Sequence, residues 1–192
     1  MSHEIPKRTL LKAISLTAAG VVMPRVPALA ATQPRVLVAY FSRTGNTRVI
    51  AKQIRRARDA TLFEITAATP YPEDYQATVA QAAAETRSAY LPPLMHLVAD
   101  IQSYDTIFLG FPIWGMTAPP VIRSFLLAHD LAGRQVVPFM THGGYGAGNS
   151  IGVVEAHAPR AIVRPGFSLE ADQEKRTLDT VSTWLDTMPR ND

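Results

Sequence analysis

Short, almost unbroken apolar runs recur along this chain, each followed by a stretch with helical spacing, and that alternation constrains the fold more than any single residue. Arg35-Val-Leu-Val-Ala-Tyr-Phe41 is the clearest run. A strand with one wet face alternates apolar and polar side chains. A continuous run instead marks a strand covered on both faces, as in a parallel sheet flanked by helices. Residues 47–58 follow, with Ile50, Ile54 and Ala57 on one face and Lys52, Arg55 and Arg56 elsewhere, which predicts an amphipathic helix with a solvated arginine face.

The pattern repeats. Thr61-Leu-Phe-Glu-Ile65 reads as a second strand, and Pro72-Glu-Asp-Tyr75 opens an alanine-rich helix to about Ser88, with acids in its first turn. Thr106 to Phe111 is the third strand, and the helix after Pro119-Pro120 buries Ile122, Phe125 and Leu126. Gln135 to Met140 is the fourth strand, where Pro138 removes one ladder donor and predicts a bulge or a short ladder. A short helix near 150–158 leads to a fifth strand near Ala161-Ile-Val163. The last helix, about 173–187, is capped by Asp172 and buries Leu178, Val181, Trp184 and Leu185. Five strands alternating with helices predict an α/β fold, an open parallel sheet with helices on both faces, in one domain over residues 31–192.

Composition narrows the function. The 192 residues include no cysteine, which excludes a disulfide scaffold, a cysteine nucleophile and a thiolate metal site. The histidines at 3, 96, 129, 142 and 157 do not pair at ligand spacing, so no metal site is expected. The formal charge of +3 comes from Lys7, Arg8, Lys12 and Arg25 against Glu4; beyond residue 30 the chain is neutral. A neutral body gives nucleic acid no electrostatic footprint.

The basic start, the apolar stretch from Ala13 to Met23 and the ending Pro27-Ala28-Leu29-Ala30 describe an export signal over residues 1–30. An anchoring amphipathic helix is the alternative, and the stretch is short of the about 20 residues a spanning helix needs. Lys7-Arg8-Thr9-Leu10-Leu11-Lys12 resembles a twin-arginine signal with Lys7 in place of the first arginine. The expected address is the periplasm, with no stable membrane insertion.

The chemistry sits where strands end. Ser42-Arg43-Thr44-Gly45-Asn46-Thr47 closes the first strand and starts its helix, so hydroxyls, an amide and a loosened backbone meet the positive end of a helix dipole. That set suits a phosphate monoester; plain helix capping is the other reading. No triphosphate loop with its lysine is present. Pro112-Ile113-Trp114-Gly115 follows the third strand, where the indole is either a core residue or a surface on which a flat heterocycle stacks. Thr141-His142-Gly143-Gly144 opens a glycine-rich loop after the fourth strand; it either approaches a ligand closely or merely connects. All three segments fall on the rim where an open α/β sheet binds ligands.

In these three segments, in this order and spacing from Arg35 to Leu185, the chain resembles the flavodoxins. The resemblance implies a flavodoxin-like three-layer sandwich of strand order 2-1-3-4-5 and one non-covalent FMN. Ser42, Arg43, Thr44, Gly45, Asn46 and Thr47 would surround the phosphate. Pro112, Ile113, Trp114 and Gly115 would line the isoalloxazine, and Thr141, His142, Gly143 and Gly144 would border its pyrimidine end. Tyr71 and Tyr75 either cover the flavin or anchor the helix that follows. The implied function is electron transfer, with a redox partner protein or a small quinone as partner. An FMN-dependent NAD(P)H:quinone oxidoreductase and a flavin-binding module without turnover are the alternatives. Carrier flavodoxins are strongly acidic and this chain is neutral. Its flavin is therefore expected to be easier to reduce, with His142 as a possible positive charge, unless that side chain only faces water.

Two motifs are decoys. Gly148-Asn-Ser-Ile-Gly152 matches the hydrolase elbow, but the elbow needs its serine directly after a strand; capping of the next helix by Asn149 or Ser150 is expected instead. Gly144-Tyr-Gly-Ala-Gly148 fails the dinucleotide fingerprint, because Asn149 stands at the final glycine position.

Overall fold

β1 (Val36–Tyr40) sends Leu37 and Ala39 into one apolar core and Val38 and Tyr40 into another, and this two-sided burial is why its sequence has no polar alternation. The computed structural model describes residues 35–170 and 174–189. The export signal and the Asp172 cap lie outside those residues.

After β1 come α1 (Asn46–Arg58), β2 (Thr61–Glu64), α2 (Tyr75–Arg87), β3 (Thr106–Pro112), α3 (Pro120–Ala128) and β4 (Gln135–His142). The chain continues with α4 (Ser150–His157), β5 (Ile162–Val163), β6 (Phe167–Glu170) and α5 (Glu174–Asp186). Every ladder is parallel, in the order β2-β1-β3-β4-β5, with β6 also on β4. α1 and α5 cover one face through Ile50, Ala51, Ile54, Val181 and Leu185. α3 and α4 cover the other through Val121, Ile122, Phe125, Leu126 and Val154, with α2 packed beside α3. The order reverses between β1 and β3, which opens a crevice beyond their carboxyl ends.

Pro138 acts one strand away from where it was expected to act. β4 runs unbroken for eight residues, and Leu109 pairs with Pro138 in register. Ile162 and Arg164 donate to the carbonyls of Arg134 and Val136, so the even-numbered residues of β4 turn their own N–H and C=O toward the fifth strand. The missing N–H of Pro138 falls on that side, and there the fifth strand breaks between β5 and β6. Beyond the five expected strands, the chain after Val163 therefore returns to the sheet as β6.

Other expectations need correcting. In α1 the buried stripe is Thr47, Ile50, Ala51 and Ile54, while Ala57 is exposed. Its arginines are not one solvated face. Arg48 pairs with Glu64 at 2.6 Å, and Arg58 donates to the carbonyls of Leu185 (2.6 Å) and Pro189 (3.2 Å) at the end of α5. α2 begins later than Pro72, because the Asp74 carboxylate accepts from Ala77 N–H at 2.7 Å and caps it. In α5, Leu178 is exposed; Trp184 is half-buried and stacks on Phe167 at 4.7 Å. Neither decoy residue caps α4: Asn149 makes no side-chain cap, and the Ser150 hydroxyl is buried with no partner among the described residues.

One histidine is fully committed. His129, just past α3, donates from Nδ1 to Phe125 O (2.8 Å) and accepts at Nε2 from Val98 N–H (3.0 Å). Burial holds its imidazole below the ordinary histidine range, partly offset by the Phe125 carbonyl.

Candidate functional site

The carboxyl ends of β1, β3 and β4 open into one cleft of about 440 Å³. Ser42, Arg43, Thr44, Asn46 and Thr47 line it from the β1–α1 loop, and Pro112, Ile113, Trp114 and Gly115 from the end of β3. Thr141, His142 and Gly143 close it from β4. The three sequence segments therefore meet in space.

The β1–α1 loop is held in shape by Ser42, whose Oγ accepts from Gly45 N–H (3.1 Å) and Arg48 N–H (3.4 Å). Gly45 sits at φ +100°, a conformation that costs other residues about 1–2 kcal/mol. The first helical bond of α1 runs from Val49 N–H to Gly45 O, so the peptides ahead of it look to the loop for partners. Thr47 and Thr141, both buried, share a hydroxyl–hydroxyl bond of 2.8 Å that ties this loop to β4. One hydroxyl proton serves the pair; the other stays available to an acceptor. Arg43 reaches across the cleft wall, donating to Glu73 O at 3.0 Å with its guanidinium 5.7 Å from the Tyr75 ring.

After β3 the chain makes a tight turn. Trp114 and Thr117 exchange both backbone bonds (3.0 and 3.2 Å), and Gly115 and Met116 between them have φ +56° and +63°. Positive φ at both central positions is the type I′ pattern, unusual for methionine. Asn149 N–H donates to Met116 O, and a Cβ on Gly148 would lie 2.1 Å from that oxygen. Glycine at 148 is what lets the third loop pack this closely on the second.

His142 accepts from Gly144 N–H at Nδ1 (3.1 Å). That bond ties the ring to the loop that follows β4. Arg43 is the permanently charged residue on the described lining, and no carboxylate is part of that lining.

Two of the singled-out residues, Gly45 and Gly144, do not line the cleft; they shape the loops that do. Sequence reasoning missed Val79, Met116 and Tyr145, and left Tyr75 open. Tyr75 is exposed and lines the cleft, whereas Tyr71 lies behind it, bonded to Glu85 at 2.7 Å. Burial, and then the Glu85 carboxylate, push the Tyr71 phenol well above the ordinary tyrosine range. Tyr75 had a signal in the Tyr-Pro-Glu-Asp-Tyr segment; Met116 and Tyr145 had none beyond lying in the right loops. Among the described residues no helix is long and apolar enough to cross a membrane.

A cleft that offers hydroxyls and a helix amino end at one side and an indole at the other suits an anionic group joined to a flat ring. No curated protein sequence matches the chain. Among solved structures, a candidate flavoprotein from Bacteroides eggerthii is 34% identical (TM-score 0.69, covering 80% of this chain and 96% of that one). Another from Bacteroides uniformis is 32% identical (TM-score 0.71, 81% and 99%). A flavoprotein from Lactobacillus acidophilus, solved in complex with FMN, shares the fold at 20% identity (TM-score 0.65, 78% and 99%). A family model described as flavodoxin matches residues 35–188, which takes in every strand and all three cleft segments. By strand order, by the loops that build its cleft and by this match, the chain belongs to the flavodoxin family.

Proposed function

We propose that the protein binds FMN non-covalently in this cleft and transfers electrons with it. The observation that carries the reading is the convergence of the Ser42–Thr47 loop, the Trp114 turn and the Thr141–Gly143 segment on one cavity. The donor set fits the group: short hydroxyls and an asparagine at a helix amino end suit a dianionic phosphate, and the indole suits a planar ring. The FMN complex of the Lactobacillus flavoprotein supports the choice of ligand.

When bound, FMN supplies the redox chemistry, and the protein supplies orientation and electrostatics. Ser42, Thr44, Asn46 and Thr47 hold the phosphate, with Gly45 giving their loop its turn. Pro112, Ile113, Trp114 and Gly115 lie along the ring, and Thr141, His142 and Gly143 border the pyrimidine end, with Gly144 orienting His142. With Arg43 and no carboxylate on the described lining, added negative charge on the cofactor meets no fixed charge of its own sign. A potential above that of an acidic carrier flavodoxin follows.

Absorbance of the purified protein tests the reading. Flavin bands, with FMN as the released cofactor, are expected; a protein that stays colourless after incubation with FMN overturns it. A second reading, FMN-dependent reduction of a quinone by NAD(P)H, is favoured by the exposed apolar rim of Tyr75, Val79, Met116 and Tyr145. Bleaching by NADPH alone would support it, and bleaching by dithionite but not NADPH supports the carrier. The export signal is part of the proposal: the mature chain begins at Ala31 in the periplasm, which amino-terminal sequencing of the fractionated protein checks.

A further inference from the structure

Three aromatic rings close a triangle behind the cleft. Trp114 meets Phe41 edge-on (centroids 5.3 Å apart, 88°) and Tyr71 edge-on (4.9 Å, 82°), and Phe41 and Tyr71 lie 5.9 Å apart. Of the three, only Trp114 lines the cleft. Tyr71 is in turn held from α2: its hydroxyl donates to Glu85 Oε2 at 2.7 Å, and Glu85 Oε1 accepts from Gln81 Nε2 at 2.8 Å. Glu85 is 8% exposed, and among the described residues no ion pair reaches it. A carboxylate withdrawn from water without a cation is costly, so these two donors are its compensation and Tyr71 is drawn to it strongly.

The rest of the Tyr71–Tyr75 segment is fastened on both sides. Thr78 Oγ1 donates to Pro72 O (2.6 Å), and Arg43 of the phosphate-loop segment donates to Glu73 O. Fixed at the backbone and at its hydroxyl, Tyr71 has little freedom to leave the edge of the indole.

We propose that Tyr71 and Glu85 are positioning residues for Trp114: from outside the cleft they fix the angle at which the indole is presented to the cofactor. This goes beyond anchoring α2, the alternative role for Tyr71. It rests on the FMN reading only where bound cofactor is the readout.

The test uses the full chain carrying Trp184→Phe, which leaves Trp114 as the single tryptophan. Into it go Tyr71→Phe, which removes one oxygen, Glu85→Ala, and Glu85→Gln, which keeps an acceptor for the phenol. Asp74→Ala removes the α2 cap without touching the triangle. Near-ultraviolet circular dichroism and acrylamide quenching of Trp114 are read without cofactor, and FMN affinity by titration. Tyr71→Phe and Glu85→Ala are expected to change the Trp114 dichroism, raise its quenching and weaken FMN binding about two- to tenfold. Glu85→Gln restores both signals, and Asp74→Ala lowers the melting temperature with Trp114 unmoved. An unchanged Trp114 signal in folded Tyr71→Phe overturns the proposal, as does an equal change in Asp74→Ala. If Glu85→Ala does not fold, Tyr71→Phe decides alone. If the parent chain takes up no FMN, the cofactor reading falls while the Trp114 signals still decide this one.

Discussion

Replacing Thr47 by valine keeps the shape of the side chain and removes one hydroxyl from the buried pair that joins the β1–α1 loop to β4. The structure sets the magnitude. Thr47 and Thr141 are 1% and 4% exposed, so the partner left behind meets little water. The 2.8 Å bond is lost, and the stranded hydroxyl keeps its desolvation cost. Together these predict a destabilisation of about 1–3 kcal/mol for Thr47→Val, and the same for Thr141→Val. With both replaced no polar group is stranded, so the double variant should lose much less than the sum of the singles, with a coupling of about 0.5–3 kcal/mol. Urea unfolding followed by circular dichroism measures this; with a slope of about 2 kcal/mol per molar, each single variant shifts the midpoint by roughly 0.5–1.5 M. The small cost of valine in α1 cancels in the cycle. Strictly additive losses, or singles as stable as the parent, would refute the reasoning that the two hydroxyls depend on each other across the loop and β4.

The remaining expectations are shorter. Gly148→Ala puts a methyl against the Met116 carbonyl at φ +55°, and a loss of about 2 kcal/mol should lower the melting temperature by roughly 4–8 °C, measured by calorimetry. Arg58→Met removes the donors to Leu185 O in the last turn of α5 and to Met188 O and Pro189 O just beyond it, and should cost about 1–2 kcal/mol in urea unfolding, with no change in FMN affinity. His129 gives a pH dependence with a definite sign. Its folded-state pKa lies below the unfolded value of about 6.5, so the unfolded chain binds more protons between the two. Its contribution is complete above about pH 6.5 and is lost as pH falls through the folded pKa. The urea midpoint should therefore drop more between pH 7.5 and 5.5 in the parent than in His129→Gln; equal drops would remove His129 as the cause.

How much of this was legible before the structure differs by element. The run Val36–Tyr40 could be read as doubly buried because both of its faces meet helices, and Leu37 and Val38 do go to opposite cores. The three cleft segments were legible because their residues are local: each loop directly follows its strand. The strand order, a non-local property, came only through the resemblance to the flavodoxins. β6 was not. Phe167-Ser-Leu-Glu170 alternates as an edge strand should, but Pro165-Gly166 just before it reads as a stop, and the break follows from Pro138 on a neighbouring strand. A pairing defect carried across a ladder leaves no trace in the local pattern. Asn149 and Ser150 were expected to cap α4 because short polar residues before a helix usually do. There the Asn149 peptide is instead drawn to Met116 O, and the Ser150 hydroxyl is buried. Tyr145 and Val79 reach the cleft through tertiary packing alone, which no spacing rule encodes.

The account turns on an anion held where β1 meets α1, and comparing FMN with riboflavin isolates that group, since the two differ only in the phosphate. Isothermal calorimetry of the cofactor-free protein with each ligand should give FMN a dissociation constant at least about 100-fold lower, as expected if the phosphate gains two or more charge-assisted hydrogen bonds. Equal affinities for the two, or no heat with either, would contradict it.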